Sequence, residues 1–178
     1  MWLAEVRAKA GRKNQILFSR DSLLLGNLRQ VIDQTNRRAL VLWALDLAEE
    51  TTAHLEAKYP DPRPREAVAA ARAWAAGEIK IPIAKHAILD CHAMAKELTD
   101  PADIARCHAV GQACSVVHTA GHALGYPIYA LTAIVLEHGL DNCRDSVEAR
   151  TLQYTEKLLF CQNREPNLSS DWAAFLRK

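Results

Sequence analysis

The sequence holds little of what an enzyme or a nucleic-acid binder displays. Lys and Arg total 22 against 21 Asp and Glu, a formal net charge of +1, and only 6% of the 178 residues are aromatic. Without a basic surplus or stacking side chains, no nucleic-acid partner is expected. The one basic cluster, Arg7-Ala-Lys-Ala-Gly-Arg-Lys13, reads as a solvated terminal segment. GxSxG, the P-loop and a GxGxxG after a strand are all missing, so hydrolase and nucleotide chemistry lack their usual frame. Glycine-rich loops, the common seat of catalytic groups, are missing too. No stretch approaches the ~20 apolar residues of a membrane span. The N-terminus has an early acid, Glu5, and no apolar run of signal length. The five cysteines are odd in number and contain no CxxC, which argues against a disulfide framework. Cys107 and Cys114, about 10 Å apart if on one helix, lie too far apart for a bridge. A soluble, cytoplasmic chain with reduced, buried thiols is expected.

What the chain does have is helix, in lengths that suit one domain; 49% hydrophobic and 24% charged residues rule against disorder. Residues 1–35 read as an N-terminal extension, with Gln15–Phe18 a short strand or turn and a short helix from Ser22 to Ile32, capped by Asp21 or Ser22. Residues 36–162 read as the bundle. Between Asn36 and Lys58, Ala39, Leu40, Trp43, Ala44, Leu47, Ala48, Thr51 and Leu55 recur at spacings of three and four, one face of a helix. Three alternating prolines, Pro60, Pro62 and Pro64, end it. Arg65–Ala76 is an alanine-rich helix with Trp74 as its large anchor and Gly77 as its C-terminal cap.

Pro82 suits the first turn of a helix to about Leu98, whose stripe is Ile83, Ala87, Cys91, Met94 and Leu98. His86 and Asp90, four apart, can pair on its flank. Asp100-Pro101 then opens a helix to about Leu124 with almost no charged face, so it is expected to be the central one. Pro127–His138 is another apolar helix closed by Gly139, and Asp141 or Asn142 caps a more polar one through about Cys161. Residues 163–178 read as a tail with a last short helix from Ser170, pinned by Trp172 and Phe175. The fold class is all-α, a bundle of six to eight helices around a central helix near 101–124.

On that central helix Ile104, His108, Gly111, Ser115, His118 and His122 are spaced 4, 3, 4, 3, 4 and form one seam. His108, Ser115, His118 and His122 are thus candidates to line a groove. His118 and His122, as HTAGH, would stand one turn apart, as paired histidines do in many zinc sites. Thr119 stands where a zincin has its glutamate base, so that hydrolase chemistry is disfavoured. Asp46 and Glu137, on other apolar helices, could complete mixed histidine and carboxylate ligation. Asp46 equally suits an edge position facing water or an arginine. A structural reading of the seam, with its histidines bonding neighbouring helices and no metal bound, stands beside the metal reading, and no catalytic set is favoured.

Two longer patterns resemble a known family. ALVLWALDLAEETTAHLEAKYPDPRPREAVAAARAWAAGEI and, further on, HAVGQACSVVHTAGHALGYPIYAL are similar to the Imm-five-like group of bacterial immunity proteins. The resemblance covers about Arg38–His138. Its specific parts are KYPDPRPREAVAAARAWAAGEI at 58–79 and GQA…VHTAGHALG at 111–125. It implies a small cytoplasmic helical protein that binds a toxin domain and neutralises it by steric occlusion, with no catalytic residue and no cofactor. Two other classes stay open at this level: a bundle that binds a metal or small ligand through Asp46, His118, His122 and Glu137, with or without catalysis, and a homodimer meeting through flat alanine faces.

Overall fold

The computed structural model describes residues 1–167 and 171–177. Among them 74% of the chain is helical and no strand occurs, the all-α bundle the periodicity implies. Eight helices follow in order: α1 Trp2–Gly11, α2 Gly26–Gln34, α3 Arg37–Glu56, α4 Arg63–Ala76, α5 Ile81–Met94, α6 Pro101–Ser115, α7 Gly125–His138 and α8 Arg144–Arg164. α6 touches α3, α4, α5 and α7 and is the hub of the molecule. Its character explains this: Ala102, Ala105, Cys107, Ala109, Val110, Gly111, Ala113 and Cys114 are all buried, and residues this small let four neighbours approach.

Most ends fall where local chemistry puts them. Asn36 accepts the Ala39 amide and starts α3, and Asp100 accepts the Ala102 and Asp103 amides ahead of Pro101. Gly77 closes α4 at φ 81°, a left-handed conformation suited to glycine. Every apolar position expected on α3 is buried, with Trp43 donating to the Tyr154 carbonyl on α8 at 2.9 Å. All five cysteines are free and buried. Burial raises the Cys107 and Cys114 thiols to about 12, which keeps them protonated and unreactive.

Several expectations are corrected. The central helix stops at Ser115 instead of running to Leu124; residues 116–119 turn away, and only a single 3-10 turn, Ala120–His122, precedes α7. The Arg7–Lys13 cluster is solvated as expected, but it lies in and just after a helix, α1, whose Trp2 and Val6 are buried; Trp2 Nε1 donates to Glu148 on α8 at 2.8 Å. Residues Gln15–Phe18 form no strand; Leu17 and Phe18 are buried, and the Leu17 amide donates to Thr132. Ser22 makes no cap bond to its helix but bonds Glu5 on α1 instead. On α5 the buried stripe is Ala84, Ile88, Cys91 and Met94, while Ile83 is 58% exposed. α8 begins after Cys143 with no side-chain cap, so neither Asp141 nor Asn142 caps it.

The tail continues as 3-10 turns at Glu165–Asn167 and Ala174–Leu176; the expected start at Ser170 lies outside the described residues. Phe175 packs on Trp74 with ring centres 5.9 Å apart, and the Ala173 amide donates to the Ala75 carbonyl at 2.7 Å, so the tail is pinned to α4. Among the described residues no helix is long and apolar enough to cross a membrane.

Candidate functional site

Where α6 ends, three elements leave a groove of about 280 Å³. α4 supplies Trp74; α5 supplies Ile81, Lys85, Ile88, Leu89 and His92; α6 and the turn after it supply Gln112, Ser115, His118 and His122. The break in α6 creates the groove. Ser115 bonds back to the Gly111 carbonyl at 2.8 Å, and Thr119 is extended at φ −138°. Arg37, from the start of α3, donates to the Val117 and His118 carbonyls. These are carbonyls a helix end would otherwise leave open. His118 therefore swings out of the helical register and stacks on Trp74, ring centres 5.6 Å apart.

The floor is held by two close approaches to glycine. A methyl group on Gly111 would meet the His92 ring, with Cδ2 at 2.8 Å and Nε2 and Cε1 nearer still. One on Gly125 would meet Gln112, with Cδ at 2.9 Å. These two glycines let a side chain lie flat on a helix backbone. His92 Nδ1 hydrogen-bonds His108 Nδ1 at 2.9 Å, and His122 Nδ1 bonds Gln112 Oε1 at 2.9 Å. Two imidazoles sharing one proton this way cannot both be protonated without losing the bond. Burial, with His108 and His122 adding to it, pushes His92 down to about 4. Burial also lowers His108 and His122, the latter helped by the charges of Arg20 and His118. At neutral pH the floor is polar without being charged.

The seam candidates are thus only partly brought together. Ser115, His118 and His122 line the groove, whereas His108 sits behind His92 and faces a second cavity of about 330 Å³ beside Tyr129, Ile104 and Ile16. His118 and His122 do not share a helix face, because the chain between them is not α-helical. Asp46 lies 3.7 Å from Arg72, the edge arrangement, and Glu137 pairs with Arg106 at 2.6 Å. Neither carboxylate is brought to the histidines. Among the described residues no three His, Cys, Asp or Glu side chains are grouped so as to hold a metal ion.

Two participants escaped sequence reasoning. His92 was hidden because the first half of the α5 stripe is displaced by one position, Ala84 and Ile88 in place of Ile83 and Ala87, although its spacing of four from Ile88 carried the signal. Asp103 is fully buried and accepts from Lys58 at 3.0 Å, Tyr59 at 2.8 Å and Arg106 at 2.7 Å. Burial alone would raise its pKa, but those bonds outweigh it and the net shift is downward. In the sequence it is only an acid in a first helical turn. It ties α6 to the end of α3, and with Arg106 it borders a polar cleft lined by His54, Tyr126 and Arg150.

No curated protein and no solved structure matches the chain. A family model described as Imm-5 like putative immunity protein matches residues 30–157, beyond both ends of the resemblance read from motifs. The match takes in α3 to α7 entire, most of α2 and α8, and every residue that lines the groove. The chain belongs to the Imm-5 like immunity-protein family.

Proposed function

We propose that this protein is a bacterial, cytoplasmic antidote that binds a protein toxin domain and neutralises it by covering the toxin's working surface, without catalysis of its own. The observation that carries this reading is family membership across residues 30–157. The continuous packed core of the bundle supports it: a preformed surface spends little ordering free energy on association, which favours a tight inhibitor. The concave groove at the end of α6, with Ile81 and Leu89 exposed on its rim, is the kind of patch on which a partner's anchor residue docks. A metal-binding reading has no such support, since Asp46 and Glu137 are engaged by arginines.

The test is co-expression in a bacterial host with each toxin domain encoded beside this gene, scored by growth, followed by light scattering of the purified mixture. Rescue by this chain together with a complex of fixed stoichiometry is the expected outcome. Normal killing by every such domain in its presence, with the chain running alone as a monomer or homodimer, overturns the proposal.

A further inference from the structure

The groove carries a positive charge at its mouth. Lys85 is its only charged lining residue. Arg20 lines the neighbouring cavity and stands just beyond the groove, donating to the Gly121 carbonyl beside His122. Among the described residues neither cation takes part in an ion pair. The walls are apolar and aromatic: Ile88 and Leu89 on one side, the Trp74–His118 stack on the other. Gln112, Ser115 and His122 put polar atoms at the bottom. A volume of about 280 Å³ is at or below the lower limit for small-molecule sites, so the groove suits one large side chain better than a whole ligand.

We infer that the groove receives an aromatic side chain of a partner protein, flanked in the partner's sequence by carboxylates that meet Lys85 and Arg20. The ring enters between Ile88 and the Trp74–His118 stack, where offset or edge-on packing is favourable. The carboxylates stay at the rim and answer two cations that the bundle leaves unmatched. The inference rests on the antidote reading for the identity of the partner, whose contact face is then acidic around an aromatic anchor. The groove's own chemistry is testable without that partner.

The probes are three capped tripeptides, acetyl-Glu-Phe-Glu-amide, acetyl-Lys-Phe-Lys-amide and acetyl-Glu-Ala-Glu-amide, titrated into the full-length protein. The readout is the imidazole C–H resonances of its seven histidines. The acidic phenylalanine peptide is expected to shift His118 and His122 saturably, with Kd on the order of 1 mM for so small an anchor. His86 and His138, which lie off the groove, stay still. Replacing Phe by Ala or Glu by Lys weakens the response. Lys85→Glu, at an exposed unpaired position that folding does not depend on, weakens binding of the acidic peptide by about fivefold. Equal binding of the acidic and basic peptides, shifts spread over all seven histidines, or indifference to Lys85→Glu overturns the inference.

Once a neutralised toxin is in hand, Lys85→Glu and His118→Ala separate the two readings. Wild-type rescue with both variants equally protective refutes the groove and leaves the antidote standing. Failure of wild-type rescue refutes the antidote, while the peptide titration still decides the groove.

Discussion

Replacing Gly111 by alanine tests the packing that builds the groove floor. At an unhindered interior position of a helix, Gly→Ala stabilises by about 0.5–1 kcal/mol, because glycine loses more backbone freedom on folding. Here the new methyl would occupy the place of the His92 ring, and something must move. The backbone of α6 is fixed on four sides by its neighbours, so the imidazole is the part that yields. Its displacement breaks the 2.9 Å bond to His108, worth about 1 kcal/mol net. It also forces the side chain toward a poorer rotamer at about another 1 kcal/mol, and loses part of its packing. Costs of about 2–2.5 kcal/mol against the gain leave a net loss of about 1.5 kcal/mol, or about 3–6 °C in Tm for a chain of this size. Urea or thermal unfolding followed by circular dichroism measures it. In a His92→Ala background the clash is gone, so adding Gly111→Ala there is expected to stabilise. The double-mutant cycle then gives a coupling of about 2 kcal/mol. Gly26→Ala, with nothing within 4 Å of the added methyl, is the control and is expected to be neutral or stabilising. If Gly111→Ala raises Tm in the wild-type background as well, the close approach of His92 does not shape the floor and the reasoning is refuted.

Acid should loosen the molecule before its carboxylates titrate. An imidazole held at about 4 against 6.5 contributes stability that is present above pH 6.5 and lost as pH falls toward 4. The full effect is at most about 3 kcal/mol, and partial solvent access reduces it to about 2 kcal/mol. His108 and His122 act with the same sign. Urea midpoints between pH 7 and 4.5, with the His92 C–H resonance titrated alongside, check this; a His92 midpoint at or above 6.5 contradicts it. Asp103→Ala removes the acceptor that Lys58, Tyr59 and Arg106 share and is expected to cost about 1–2 kcal/mol, because Arg106 keeps Glu137 and Lys58 reaches solvent. The milder Asp103→Asn should lower the Tyr59 phenol from about 12 toward 10, read by phenolate absorbance. Lys13 follows α1 at φ 60°, a conformation that costs a side-chain-bearing residue about 1 kcal/mol. Lys13→Gly is expected to recover most of it, and an unchanged unfolding midpoint would show that the strain is not there.

The helices were legible because their signals are local. Asn36 and Asp100 as caps, the proline run at 60–64 and Gly77 each act within one turn of their own position, and each works as its chemistry says. The end of α6 was not legible because its cause is distant. From Gly111 to Ala123 the residues include no proline and no Asp, Glu, Lys or Arg and could continue a helix, although the branched Val116, Val117 and Thr119 and the glycine at Gly121 weaken one. What tips the balance is Arg37, about 80 positions earlier, donating to the Val117 and His118 carbonyls, together with Ser115 bonding back to Gly111. A carbonyl satisfied from outside no longer needs the next helical turn. The same event remakes the site. With helical spacing, His118 and His122 would have stood together on one face, beside His108 and Ser115. With the helix cut at Ser115, His118 goes to Trp74 and His122 to Gln112, and His92 on α5 takes the place opposite His108. Spacing therefore identified the right residues but the wrong neighbours. That has a bearing on chemistry: a metal needs histidines facing one another, and a helix that ends where this one does spreads them along a wall instead.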